Sequence, residues 1–274
     1  MWASIWLGVT VLVVIWDILF LNGPARRDVL AGSINTLTVC LLTVVMTLVL
    51  GWAGALILYF SRRTKSGALS FSITFVFNCI RSVPQIVGIL LAYVLIATLR
   101  QSGVIGSDFV AFICMALGIS LFVFLEVVDL LGERIEHFEK SDFVSAMRVC
   151  GIPDWRIINY NIFWNNSKTH IFNKLISIFG AAVFLQCSVD FIISVGLSQD
   201  VSGVSLPTSL GSLLARIDSK QDILAIGYSL THPNYLPNLF FQHLQGVTIA
   251  FLIVWTLFSV HNVSNAFARR RHLS

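Results

Sequence analysis

Between Asp28 and Arg62 the chain carries no ionised side chain, and most of that stretch is Leu, Val, Thr and Ala. A helix rises about 1.5 Å per residue and a bilayer core is about 30 Å thick, so roughly 20 apolar residues cross it. The run Leu30–Phe60 exceeds that length and is expected to project beyond the membrane as one helix. Composition agrees. Of 274 residues, 56% are hydrophobic and 12% charged, with a mean hydropathy of +0.83, whereas soluble domains carry about 25% charged residues. The chain therefore reads as all-α: a polytopic membrane helical bundle.

Six segments meet the length requirement: Ser4–Asn22, Leu30–Phe60, Phe75–Leu99, Val104–Leu131, Ile171–Leu197 and Phe240–Ala266. The first has no basic leader and no small-x-small cleavage site, and Asp17 interrupts it, so it reads as a retained anchor rather than a signal peptide. Basic residues set the orientation, because they accumulate on the cytoplasmic side. With both termini inside, that side holds Arg62, Arg63, Lys65, Arg81, Arg134, Lys140, Arg148, Arg156, Lys168, Lys174, Arg269, Arg270 and Arg271. The outside holds Arg26, Arg27, Arg100, Arg216 and Lys220, thirteen against five. Residues 1–29 then form the anchor helix and a short external link, 30–266 the main transmembrane domain, and 267–274 a basic cytoplasmic tail. The net charge of +4 implies no nucleic-acid partner, because these residues sit at the ends of apolar runs.

On the cytoplasmic side lies a polar island, Ser141–Asn165, with folding signals of its own. Ser141 suits an N-cap, and Asp142 the first helical turn, where a carboxylate meets the positive end of the helix dipole. Phe143, Met147 and Cys150 fall on one face at helical spacing. Gly151 is placed to close that helix and Pro153 to open a second, along which Trp155, Ile158 and Ile162 recur at helical spacing. The expectation is a helix–glycine–helix knob on the water side of the membrane. Such a knob is either a docking surface for another protein or an amphipathic element resting on lipid headgroups.

The other long connection, Ser198–Leu239, falls outside. Leu206, Leu210, Leu213, Leu214 and Ile217 suggest a short helix after Pro207, and Pro233 and Pro237 break the chain before the last span. It is a re-entrant scoop or a lid. Ionisable residues inside spans carry a functional expectation of their own. Glu126 and Asp129, three apart, share a helix face and are expected to meet water at the inner end of the fourth span, with Arg81 snorkelling to the inner interface. Gln186 and Asp190, one turn apart, are candidates for lining a translocation path. Otherwise Asp190 reaches the external interface or pairs with a partner subunit. Pairing with Arg81 is not expected, since the two sit near opposite membrane faces.

The chain contains no GxxxxGK[ST] phosphate loop, no HExxH pair and no GxSxG elbow. No catalytic residue, metal site or cofactor is expected in it, and any ATP used must be hydrolysed by another chain. The five cysteines (40, 79, 114, 150 and 187) show no ligand spacing and read as packing residues.

Three motifs in order carry a resemblance. In the knob, Asp142, Phe143, Val144, Ala146, Arg148 and Gly151 follow the pattern acidic–aromatic–V–x–A–A–x–x–x–G, continued by Asp154, Arg156 and Ile157. Ala25–Leu37, with Arg27 and Asp28, is similar to a G-R-D opening segment. Ser188–Ala215 matches an S-L-S-F-L-G-L-G, proline-rich, W-G-x-M-L region at Gly196, Leu197, Pro207, Gly211 and Leu214. Together they resemble the permease subunits of bacterial ABC importers of the dipeptide, oligopeptide and nickel class. The chain looks like a divergent member. Met147 stands where the pattern has its second alanine, Trp164-Asn165 replaces Pro-Asn, Leu210-Gly211 replaces W-G, and Asp190 falls at an apolar position.

The resemblance implies a coupling loop over about 133–170, in which Asp142, Phe143, Ala146, Met147, Arg148 and Gly151 enter a cleft on an ATPase subunit. It implies two such ATPases, which would bind ATP and Mg, a second homologous permease, an extracytoplasmic solute-binding protein, and residence in the bacterial inner membrane. Peptides are the expected cargo, with nickel chelates next. An ion-coupled secondary transporter using Asp190, Glu126 or Asp129 is the alternative of another class. A membrane enzyme acting on lipid-linked substrates would need clustered polar residues at one interface, and no such cluster is found.

Overall fold

Long uninterrupted apolar sequence dictates long helices, because in lipid every backbone polar group must be satisfied within its own segment. The computed structural model describes residues 2–20, 23–63, 67–197, 206–216, 219–238, 249–259 and 262, and among them all regular structure is helical. The anchor is α1 (Trp2–Phe20), where the Asp17 side chain lies outside the described residues. The second run is α2 (Gly23–Arg63), 41 residues without a break. It extends past both ends of Leu30–Phe60, so that Gly23–Val29, within the short link expected there, is helical.

The run Phe75–Leu99 is not one straight helix. It divides into α3 (Gly67–Ser82) and α4 (Gln85–Gln101), bent 90° to each other. Pro84 is the cause: it caps α4 with ψ 128°, and a proline disfavours helical geometry in the residue before it. None of the residues of α3 is fully buried, whereas α4 buries Ile89, Tyr93 and Ile96. Val104–Leu131 likewise becomes α5 (Asp108–Val123) and α6 (Leu125–Glu139), bent 47° at Phe124. Helix α6 runs eight residues past Leu131, with Glu126 and Asp129 in its first two turns.

The knob follows as α7 (Asp142–Val149), then α8 (Asp154–Arg156), which continues as a π-helical segment, Ile157–Asn166. Next come α9 (Lys168–Leu197), α10 (Leu210–Arg216) and α11 (Ser219–Thr231). Of the last run, Ile249–Ser259 is described as a helix, α12; the tail 267–274 lies outside the described residues.

Helix α2 is the spine, packed against α5, α6 and α9. Its buried stripe repeats at helical spacing through Thr36, Val39, Cys40, Thr43 and Thr47. Small side chains there let neighbouring helices come close, and Thr43 hydrogen-bonds back to the Val39 carbonyl at 2.8 Å. The main core adds Ile89 and Tyr93 from α4, Met115 and Ile119 from α5, Val127 and Leu131 from α6, and Ile178 from α9. Among the described residues, α2 and α9 are each long and apolar enough to cross a membrane, and there are up to four spans if each bent pair counts as one.

Candidate functional site

The knob is held by a C-terminal cap and by a polar clamp. Ser141 takes the extended N-cap geometry, φ −91° and ψ 145°. Its hydroxyl turns back to the Phe138 carbonyl at 2.6 Å instead of capping α7. At the other end, Gly151 has φ +76°. Its N–H donates to the Arg148 carbonyl at 3.0 Å and the Ile152 N–H to the Met147 carbonyl at 3.1 Å. Those two bonds form a Schellman motif, which needs a left-handed residue that glycine supplies without a Cβ clash.

Arg148 is turned inward. Its Nε donates to Asp154 Oδ1 at 2.9 Å, and its Nη2 donates to Glu139 Oε1 at 2.8 Å and to the Tyr59 hydroxyl at 3.1 Å. The hydrogen bonds to Glu139 and then Asp154 push its already high pKa further up. Arg63 pairs with the other Asp154 oxygen and donates to the Tyr59 hydroxyl at 3.0 Å. One planar guanidinium, with donors in a fixed fork, thus joins the ends of α2 and α6 to both halves of the knob. A crevice of about 680 Å³ lies beside the clamp, between α2 and α6, lined by Arg62, Glu133, Glu136 and Glu139 among others.

The faces differ from the helical-spacing expectation. In α7 the buried residue is Val144, with Met147 half-buried behind it. Phe143 and Cys150, placed by spacing on one face with Met147, are exposed. Asp142 and Ala146 are exposed too, and Val149 is 89% exposed. Beyond α8 the winding changes. A π-helix bonds i to i+5, so Ile157 stacks over Ile162 and Ile158 over Phe163, and all four are buried. Trp155, expected on that face, is 59% exposed and stacks on Phe60. The segment is pinned to α2, where Trp52 Nε1 donates to Asn159 Oδ1 at 2.7 Å and the Trp52 ring meets Phe163 edge-on at 5.0 Å. Seen from outside, the knob presents Phe143, Val149, Trp155, Tyr160 and Trp164, all exposed.

Gln186 and Asp190 lie elsewhere, toward the other end of α2. Both are enclosed within the chain, at 0% and 3% exposure. Gln186 Oε1 accepts a bond from the Cys40 thiol at 3.1 Å, and Ser209 neighbours the Asp190 carboxyl. Asp190 Oδ2, Gln186 Nε2 and the buried Tyr93 hydroxyl have no hydrogen-bond partner among the described residues. The enclosure is made by α10. Ser209 and Ser212 bond each other's backbone N–H reciprocally, at 2.9 and 3.1 Å. Asn35 reaches the Thr208 carbonyl at 2.8 Å, and the Leu210 N–H donates to Thr36 Oγ1 at 3.0 Å. Gly211 lies against the Cys187 backbone, where a Cβ would come within 2.8 Å of Cys187 Cα.

Cys187 is ten residues from the end of α9, so α10 sits roughly 15 Å down that helix. The short helix expected after Pro207 is present as Leu210–Arg216, with Leu210 and Leu213 buried; Ile217 is outside the described residues.

Glu126 and Asp129, and Arg81 near them, stand in half-exposed pairs. Arg81 pairs with Asp129, and Lys174 with Glu126 Oε2 at 2.7 Å. Sequence reasoning missed Tyr59, Arg63 and Glu139 as members of the clamp. The i,i+4 spacing of Tyr59 and Arg63 was the available signal. No protein-family model matches the chain, and no curated protein matches it.

Proposed function

We propose that the chain is the membrane-spanning subunit of an ATP-driven importer in the bacterial inner membrane, and that the knob is where a separate ATPase subunit grips it. The observation that carries this reading is the pairing of a rigidly fastened knob with an outward apolar face. Val149, Phe143, Trp155 and Trp164 are exposed on an element whose inner side is clamped to α2 and α6. Exposed apolar residues rimmed by charge mark interaction surfaces. The order of the three sequence motifs supports the importer class. In this reading six spans cross the bilayer, both termini are cytoplasmic, a second permease completes the path, and an external binding protein delivers peptides, or less readily nickel chelates. Closure of two ATPases moves the knobs, and the attached helices expose the path alternately to each side. Reversing a 1:99 equilibrium requires about 5.5 kcal/mol of differential binding, which two docked knobs share.

Co-purification in mild detergent tests the reading: ATPase subunits should elute with the chain. Val149→Glu should abolish that co-elution while changing stability by less than about 0.5 kcal/mol, because the side chain touches little of its own protein. Elution of wild type without any nucleotide-hydrolysing companion would sink the proposal.

A second reading has its own observation. Asp190 is a buried carboxyl with an unpartnered oxygen, beside a helix pair broken at Pro84, and buried acids and broken helices occur in ion-coupled transporters. Uptake by the chain alone in proteoliposomes, driven by a proton or cation gradient and lost in Asp190→Asn, would favour it over the importer.

A further inference from the structure

A cavity of about 550 Å³ opens between α1, α2, α9, α10 and α12. Its wall is largely apolar, built from Val14 and Ile18 of α1, Leu30 and Leu37 of α2, Leu210 of α10 and Ile253 of α12. At one end stand Arg26 and Arg27, in the first turn of α2 and both exposed. Neither forms an ion pair with any described residue. Asp28, the next residue, does not line the cavity.

The dimensions are informative. Arg26 and Leu37 are eleven residues apart on one helix, which places the deep end roughly 16 Å from the arginines. That is about half of a 30 Å hydrocarbon core, the depth of one leaflet. The volume lies in the range of small-molecule sites, about 300–1,000 Å³. The groove is thus long enough to take one leaflet's depth of acyl chain with its positive end at the mouth.

We propose that this groove holds one anionic phospholipid, with an acyl chain between α1 and α2 and the headgroup phosphate on Arg26 and Arg27. Acyl chains are as apolar as the bundle, so the groove alone distinguishes no lipid from another. The discrimination comes from the guanidinium groups, whose planar donor forks match phosphate oxygens and whose charge favours a net-negative headgroup over a zwitterionic one.

Native mass spectrometry of the full chain, as purified in mild detergent with whatever subunits accompany it, gives the test. Phosphatidylglycerol and phosphatidylcholine with the same acyl chains are titrated separately. Phosphatidylglycerol should bind roughly thirtyfold more tightly, the contribution expected of two arginines near a headgroup. Arg26→Gln with Arg27→Gln should abolish that preference, weakening phosphatidylglycerol far more than phosphatidylcholine, whose phosphate the arginines also meet but whose net charge is zero; both positions are exposed, so folding is undisturbed. Val14→Trp, which fills the groove, should weaken both lipids. Equal binding of the two lipids overturns the proposal, as does a preference that survives the double substitution, unchanged binding in Val14→Trp, or a second protein chain cross-linked into the groove.

Discussion

Gly151 holds a backbone conformation that side-chain-bearing residues avoid, yet a Cβ there would meet nothing within 4 Å. The obstacle to substitution is conformational rather than steric. Gly151→Val should cost about 1–2 kcal/mol, and Gly151→Asn clearly less, because Asn tolerates the left-handed region. Hydrogen exchange at the Gly151 and Ile152 amides checks the ranking, with equal protection in the two variants counting against it. Near this residue the sequence was easily read. Cap chemistry is local, so Ser141, Asp142 and Gly151 announced the ends of α7. The partners of Arg148 were not readable. Its hydrogen bond to Tyr59 joins residues 89 apart, and no local spacing encodes it. Knob residues that looked alike therefore divide in the fold. Ala146 and Phe143 face outward, while Arg148 is committed to the protein's own scaffold.

Among the elements, those whose burial follows a 3.6-residue period were legible and those that depart from it were not. Helices α2 and α9 were evident from hydropathy. The corner between α3 and α4 was visible as Pro84 at the centre of an apolar run, but hydropathy counts residues without direction and passes over a right angle. The π-helical winding after α8 moved Trp155 out and Ile157 and Phe163 in, because a longer hydrogen-bond step changes which side chains stack. The seat of α10 yields a prediction of its own. In Gly211→Leu the new side chain collides with the Cys187 backbone, an overpacking that costs about 1–3 kcal/mol. Helix α10 should be displaced and Cys187, 7% exposed in the wild type, should become reactive. Labelling with a small maleimide reads this directly. Continued protection of Cys187 in a folded variant would show that α10 is not held by this contact.

At the scale of the whole molecule, the knob and the polar cluster under α10 are far apart in space but share one helix. The clamp at the knob end should behave as a unit. A double-mutant cycle of Arg148→Met with Asp154→Asn should give a coupling of about 0.5–3 kcal/mol, against near-zero for residues without shared partners. Thermal unfolding of the single and double variants supplies the measurement. Additive losses would mean that the pair is a surface ornament, as many exposed ion pairs are.

Helix α2 reaches from Tyr59, in the clamp, to Thr36, which caps the approach to α10. Those residues are twenty-three positions apart, roughly 35 Å along an unbroken helix. A stiff rod held at two such distant points would, under the coupling role proposed above, carry a tilt imposed at the clamp to the seat of α10 with no chain of side-chain rearrangements between the two.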